Sequence, residues 1–196
     1  RARPKTERYG VPNMSPDALF AQPEIEILPN PTPPQVHSKI ALVTLTAGKN
    51  AYSEKPFGVD AGDAAKVIAL GQSKGLRVGC APDTFLGGGQ QTARKVLDDG
   101  WIGRPLSGTA IVMGRGPEKW PQAPFFYDYG AGPMLDLGPY YITALVNLLG
   151  PAKSVTAVTT RGSEFRTIGE KVAEQYQDMV QDRKSTRLNS SHRIRS

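Results

Sequence analysis

Few side chains in this sequence can do chemistry, and they are not metal or thiol sets. The one cysteine, Cys80, has no His or Cys at ligand spacing, and the two histidines are His37 and His192. Cys80 therefore reads as a small packed side chain. What remains is acid–base chemistry. Glu54 and Lys55 follow directly on a short strand-like stretch, and Asp136 and Tyr140 stand four apart, the separation that puts two side chains on one helical face. Gly138-Pro139 sets a helix start between them. A tyrosine can move a proton if a cation such as Lys55 lowers its pKa from about 10. The plainer reading has Tyr140 shape a pocket while Lys55 or Asp136 handles the proton. Lys55 could equally be a solvated surface lysine, Glu54 an ion-pair partner, and His37 a helix cap or surface residue.

The elements that would position these residues alternate. Ser15-Pro16-Asp17 has the order of a helix start and leads into Ala18-Leu19-Phe20. Glu24 to Leu28 alternates acid and aliphatic as a strand does, and Pro29 to Pro34 is a turn. From Gln35 the apolar spacing is helical (Val36, Ile40, Val43, Ala47) and closes at Gly48; a strand follows at Asn50 to Ser53. Asp60 caps a helix with Ala64, Val67, Ile68 and Gly71 on one face, and Leu76 to Cys80 is a third strand. This order predicts βαβ units, hence a parallel sheet covered by helices. Ligands of such sheets lie beyond the carboxyl ends of the strands, which directs attention to 30–34 and 54–58.

Past Cys80 the texture changes. Gly87-Gly88-Gly89 precedes a helix that stops at Gly100, Leu106 to Met113 reads as a longer strand, and 116–129 is a Pro/aromatic loop. Its Trp120, Phe125, Phe126 and Tyr127 are the kind of residues that line a pocket or an interface. Tyr140 to Leu149 reads as a helix, and Ser154 to Thr160 as another strand. The expected fold class is therefore α/β: a partial parallel sheet, then a partial α+β domain with a mainly antiparallel sheet. We divide the chain at 1–85, 86–181 and 182–196.

Composition narrows the partners. The 196 residues are 39% hydrophobic and 21% charged, with no apolar run near the ~18 residues of a membrane span. A single cysteine forbids an intrachain disulfide, and no apolar h-region follows the basic start, which fits a cytoplasmic setting. The net charge of +6 hints at nucleic acid, but residues 1–10 carry +3 and residues 182–196 carry +4, leaving −1 for the rest. No basic body faces a nucleic acid. The end itself, from Asp182, is polar and aperiodic. It closely resembles the in-frame translation of a sequencing-library adapter, so it is expected to be non-native, and His192 with it.

A dinucleotide-binding sheet should show GxGxxG after its first strand. Gly87/Gly89, Gly114/Gly116 and Gly130/Gly132 are followed by Thr92, Lys119 and Leu135 at the third place, so none completes it. Three other blocks occur in order: Thr32-Pro33-Pro34-Gln35-Val36-His37, Tyr52-Ser53-Glu54-Lys55-Pro56, and 130–138 with Met134-Leu135-Asp136-Leu137-Gly138. Together they resemble the Gfo/Idh/MocA family of NAD(P)-dependent oxidoreductases over about residues 8–170. The resemblance implies an N-terminal Rossmann domain entered after its first βαβ unit and a C-terminal α/β domain. It also implies NAD or NADP as cofactor, hydride transfer with a sugar-like or polyol-like small-molecule substrate, and a homo-oligomer in the full-length protein. Without the glycine loop, the chain is expected to hold cofactor weakly or not at all.

By this resemblance Lys55, Asp136 and Tyr140 are the catalytic residues, and Thr32, Pro33, His37, Glu54 and Lys55 border the cofactor. An ammonium at Lys55 would hydrogen-bond the reacting oxygen. Tyr140 falls where the family has a histidine, so it is expected to take over proton transfer, polarised by Lys55. The same change also allows a non-catalytic NAD(P)-binding sensor or scaffold. Pro29 and Pro31 depart from the family's aliphatic strand end, and proline suits a ladder poorly.

Overall fold

The computed structural model describes residues 7–114, 116–120 and 123–159, together with three two-residue strands at 167–168, 171–172 and 186–187. Helix α1 (Pro16–Ala21) is capped by the Ser15 hydroxyl, which accepts from the Ala18 amide at 3.2 Å. Strands β1 (Ile27–Asn30), β2 (Asn50–Glu54) and β3 (Val78–Ala81) form a parallel sheet in that order. A 3-10 turn (Pro34–Val36) runs into α2 (His37–Thr46), which links β1 to β2, and α3 (Ala61–Ser73) links β2 to β3. The Asp60 carboxylate caps α3 by accepting from the Asp63 amide at 3.1 Å. Two successive parallel crossovers of one hand put both helices on one face, and α2 and α3 pack on each other.

The core lies in that layer. Ala41 and Leu45 of α2, Ala51 of β2 and Val67 of α3 are buried, with Leu42, Phe57, Leu70, Leu76 and Val78 packed around them. Gly71 is a point of close approach: a Cβ there would stand 2.6 Å from Val78 Cγ2, so glycine lets α3 settle onto β3. The opposite sheet face, with Ile27 and Tyr52, is exposed among the described residues. The sheet is thus covered on one face, where the pattern predicted cover in general.

β1 lies later than its alternation suggested. Leu28 and Asn30 are buried while Ile27 is 52% exposed, so the acid–aliphatic rhythm of 24–28 does not mark the inward face. Register against β2 (Ile27 beside Asn50, Asn30 beside Ser53) and the partners of the Asn30 amide decide the matter. Pro29 sits within this strand, which neighbours only β2 among the described residues, an edge position that tolerates proline. Just before β2, the buried Lys49 donates its ammonium to the carbonyls of Gln22 (2.5 Å) and Ile25 (2.7 Å), fixing the chain between α1 and β1.

In the second half, α4 (Gly88–Asp98) packs against α6 (Gly138–Leu149), and the one-turn helix α5 (Pro133–Asp136) leads into α6. Arg94 pairs with Asp98 one turn on and donates to the Asn147 carbonyl at 2.7 Å, tying the two helices. The strand expected at Leu106 to Met113 does not form. Its apolar residues Leu106, Ile111, Val112 and Met113 are exposed, and no ladder pairs them among the described residues. Of the expected antiparallel sheet, the described residues form two-residue ladders: β4 (Val158–Thr159) with β7 (Thr186–Arg187), and β5 (Thr167–Ile168) with β6 (Lys171–Val172). The strand expected over Ser154 to Thr160 begins at Val158 rather than Ser154, and Thr160 lies outside the described residues. Of segment 182–196, read as aperiodic, β7 is described and is paired.

Candidate active site

The carboxyl ends of β1 and β2 lie side by side and are built on a buried polar floor. Asn30 and Ser53, the paired strand ends, share a hydrogen bond from Asn30 Nδ2 to Ser53 Oγ at 3.3 Å. The same amide donates to the His37 carbonyl at 3.2 Å, and Asn30 Oδ1 accepts from the Thr32 hydroxyl at 2.6 Å. Each polar group removed from water here has a partner, as burial requires. Sequence reasoning missed Asn30 and Ser53. The signal was present: Ser53 stands two after the buried Ala51, a polar side chain on an inward position.

Above this floor the peptide chain turns at a cis Lys55–Pro56 bond. The Lys55 ammonium, its side chain 15% exposed, donates to Asp136 Oδ1 and to the Asp136 carbonyl, both at 2.5 Å. It also lies 5.0 Å from the centroid of the Tyr140 ring, over its face. Of its three N–H groups two are engaged by Asp136, and the third has no acceptor among the described residues. Asp136 ends α5 and Tyr140 opens the first turn of α6, with Leu137 between. The two therefore do not share one continuous helix, yet both reach Lys55.

The expected activation of Tyr140 is not what the surroundings produce. Burial raises its pKa above the usual phenol value; the Lys55 charge lowers it by less, and the carboxylates of Glu54, Asp83 and Asp136 add to the rise. The ammonium addresses the ring face rather than lowering the hydroxyl's pKa below normal. Glu54 is exposed at the end of β2, where its carboxylate accepts from the Lys55 amide at 3.2 Å. Thr32 and Pro33 lie in the loop after β1 beside it. His37 is 1% exposed, neither a surface residue nor a free one: Nδ1 is 2.7 Å from the Pro56 carbonyl and Nε2 2.7 Å from the Thr32 carbonyl.

Two further contacts bring the halves together. Gln35 Nε2 donates to the Tyr129 carbonyl at 3.0 Å, and Gly130, at φ +80°, lies against Val59, where a Cβ would come within 2.4 Å of Val59 Cβ. The Phe126 ring lies between those of Trp120 and Phe125, with centroids 5.7 and 4.5 Å away. Cys80 lies apart from the Lys55 cluster, in a cavity of about 390 Å³ with Phe57, Ile68 and Val78. Burial pushes its thiol up to about 11, so it stays protonated at neutral pH. Among the described residues there is no group of three His, Cys, Asp or Glu able to hold a metal, and no helix long and apolar enough to cross a membrane.

Known proteins are similar to this chain in sequence and fold. Residues 1–81 match the oxidoreductase family with an NAD-binding Rossmann fold, and residues 90–181 match the GFO/IDH/MocA C-terminal domain. This chain belongs to the Gfo/Idh/MocA family of oxidoreductases. It is 31% identical over 145 residues to an uncharacterized oxidoreductase of Schizosaccharomyces pombe, covering 72% of this chain and 39% of that one. It is 32% identical over 156 residues to dTDP-3,4-didehydro-2,6-dideoxy-alpha-D-glucose 3-reductase of Streptomyces antibioticus, covering 77% of this chain and 46% of that one. The WlbA dehydrogenase of Bordetella pertussis, solved with NADH and UDP-GlcNAcA, superposes with a TM-score of 0.70 at 22% identity over 84% of this chain and 48% of that one. The chain thus spans less than half the length of these relatives.

Proposed function

We propose that this chain supplies the nicotinamide-side and substrate-side walls of an NAD(P)-dependent oxidoreductase acting on a secondary alcohol or ketone of a sugar-like or polyol-like compound. The observation that carries this is the Lys55 ammonium, held between the Asp136 carboxylate and the Tyr140 ring with one N–H left over. The residues present fit the nicotinamide end of a dinucleotide: two strand-end loops, a satisfied polar floor, and Thr32, Pro33 and Glu54 at the rim. Nicotinamide, when bound, supplies or accepts the hydride.

The chain's own part is electrostatic. The spare N–H of Lys55 hydrogen-bonds the substrate oxygen; as the alcohol loses hydride its proton passes to the lysine nitrogen while a lysine proton passes on to the Asp136 carboxylate, and ketone reduction runs the same relay backwards. Asp136 fixes the ammonium in place. Tyr140 shields one side of it. The sugar-nucleotide substrate of the Streptomyces relative and the UDP-sugar held by the Bordetella protein support a carbohydrate-like substrate class.

Joined to a phosphate-binding βαβ unit from a relative, the protein is expected to interconvert NAD(P)+ and NAD(P)H with cyclic polyols or sugar derivatives, read as nicotinamide absorbance. Tight cofactor binding without turnover of any such compound would mark a sensor instead. In the same protein Tyr140→Phe is expected to stay within a few-fold of wild type with an unchanged pH profile. Tyr140→Leu, which removes the ring face, should lose about 5- to 30-fold. Collapse of turnover in the Phe variant would restore the hydroxyl as the proton carrier.

A further inference from the structure

Among the groups near the site, His37 is the buried titratable side chain for which the chemistry above has no use. Its ring bridges two backbone carbonyls on different loops, Thr32 after β1 and Pro56 after β2, each at 2.7 Å. A carbonyl oxygen only accepts, so each ring nitrogen must bring a hydrogen to its contact. A neutral imidazole has one N–H. In either tautomer a nitrogen lone pair would face a carbonyl lone pair at 2.7 Å with no water between, since the residue is 1% exposed. We infer that His37 is a doubly protonated imidazolium clasp that fastens the loop carrying Thr32 and Pro33 to the loop carrying Lys55.

The forces on that charge come from every side. Lys55, one residue before Pro56, and Lys39 on the same helix carry like charge, and the start of α2 presents its positive end. Glu54 at the end of β2 is the carboxylate nearest in sequence to the clasped loop, but among the described residues none pairs with the ring. Two charge-assisted hydrogen bonds to carbonyl dipoles are what hold the proton. The His37 carbonyl is in turn held by Asn30, so the ring hangs from the polar floor and reaches across both loops. His37 is thus a positioning residue: with both ring nitrogens on backbone carbonyls, it acts by setting the backbone from which Lys55 extends.

This rests on Lys55 as the working group for its meaning, but its test needs neither cofactor nor turnover. In the 196-residue chain with labelled histidine, NMR at neutral pH is expected to show two slowly exchanging ring N–H signals for His37. His37→Phe keeps the ring shape without donors, and should speed backbone exchange at Thr32, Lys55 and Phe57 by about tenfold or more. A single ring N–H at neutral pH overturns the clasp even if the variant fails to fold. So does unchanged exchange in His37→Phe.

Discussion

Replacing Lys55 with methionine is expected to lower hydride-transfer turnover by about 100- to 10,000-fold in a protein completed with a phosphate-binding βαβ unit, the range that positioned proton-transfer groups supply. Methionine keeps the length and apolar stem and removes the ammonium. Three things then fail at once. The substrate oxygen loses its donor, the Asp136 carboxylate loses the partner it holds at 2.5 Å, and the Tyr140 face loses its cation. The loss should fall on kcat more than on KM, since the ammonium is needed most when negative charge builds on oxygen. Lys55→Arg should recover little, because a planar fork satisfies Asp136 while placing its remaining donors elsewhere. Methionine activity within a few-fold of wild type would remove Lys55 from the chemistry and leave Asp136 as the proton carrier.

Leu45→Ala is expected to destabilise the chain by about 2–5 kcal/mol, measured by urea or thermal unfolding. Leu45 is fully buried in a cluster whose other buried members, Ala41, Ala51 and Val67, are all smaller. Leu42, Phe57, Leu70 and Leu76, packed around the cluster, can refill part of the space, so a loss within that range rather than at its top is expected. Native stabilities are only about 5–15 kcal/mol, which makes this a large share of the whole. The exposed Val43 on the same helix supplies the control, since trimming it to alanine should change stability by less than about 1 kcal/mol. Equal losses for the two variants would mean that the layer between α2 and the sheet is not where stability lies.

The parallel sheet and its two crossover helices were legible because α2 and α3 carry helical apolar spacing, an Asp60 cap and glycine stops, each a local cause. Lys55 and Asp136 were singled out and do meet, but no periodicity joins residues 81 positions apart; the resemblance of ordered motifs brought them to notice. The misplaced β1 and the absent strand at Leu106 to Met113 have one origin. Alternation shows that a segment could lie in a sheet, whereas pairing and inward face depend on neighbours elsewhere in the chain. The direction of the Tyr140 pKa was illegible for a related reason. A sequence shows which charges exist, and Lys55 is one, but the burial that outweighs it is a property of the folded surroundings. The ordered motifs brought His37 to notice, but its contacts carried no pattern, since its partners are backbone carbonyls, which every residue has.

The ion pair that crowns the site also fixes when the site comes into being. Closing the stretch between Lys55 and Asp136 costs about 1 kcal/mol more chain entropy than bringing Ile27 beside Asn50, on a logarithmic dependence on loop length. The sheet with its two crossover helices can therefore assemble from near contacts, while the ammonium waits for the far half to arrive. A nascent or partly unfolded chain would hold a formed cofactor-side scaffold whose lysine is still unpaired. Formation of the Lys55–Asp136 pair is in this sense a late event in the history of each molecule, delayed until two distant stretches of its chain have met.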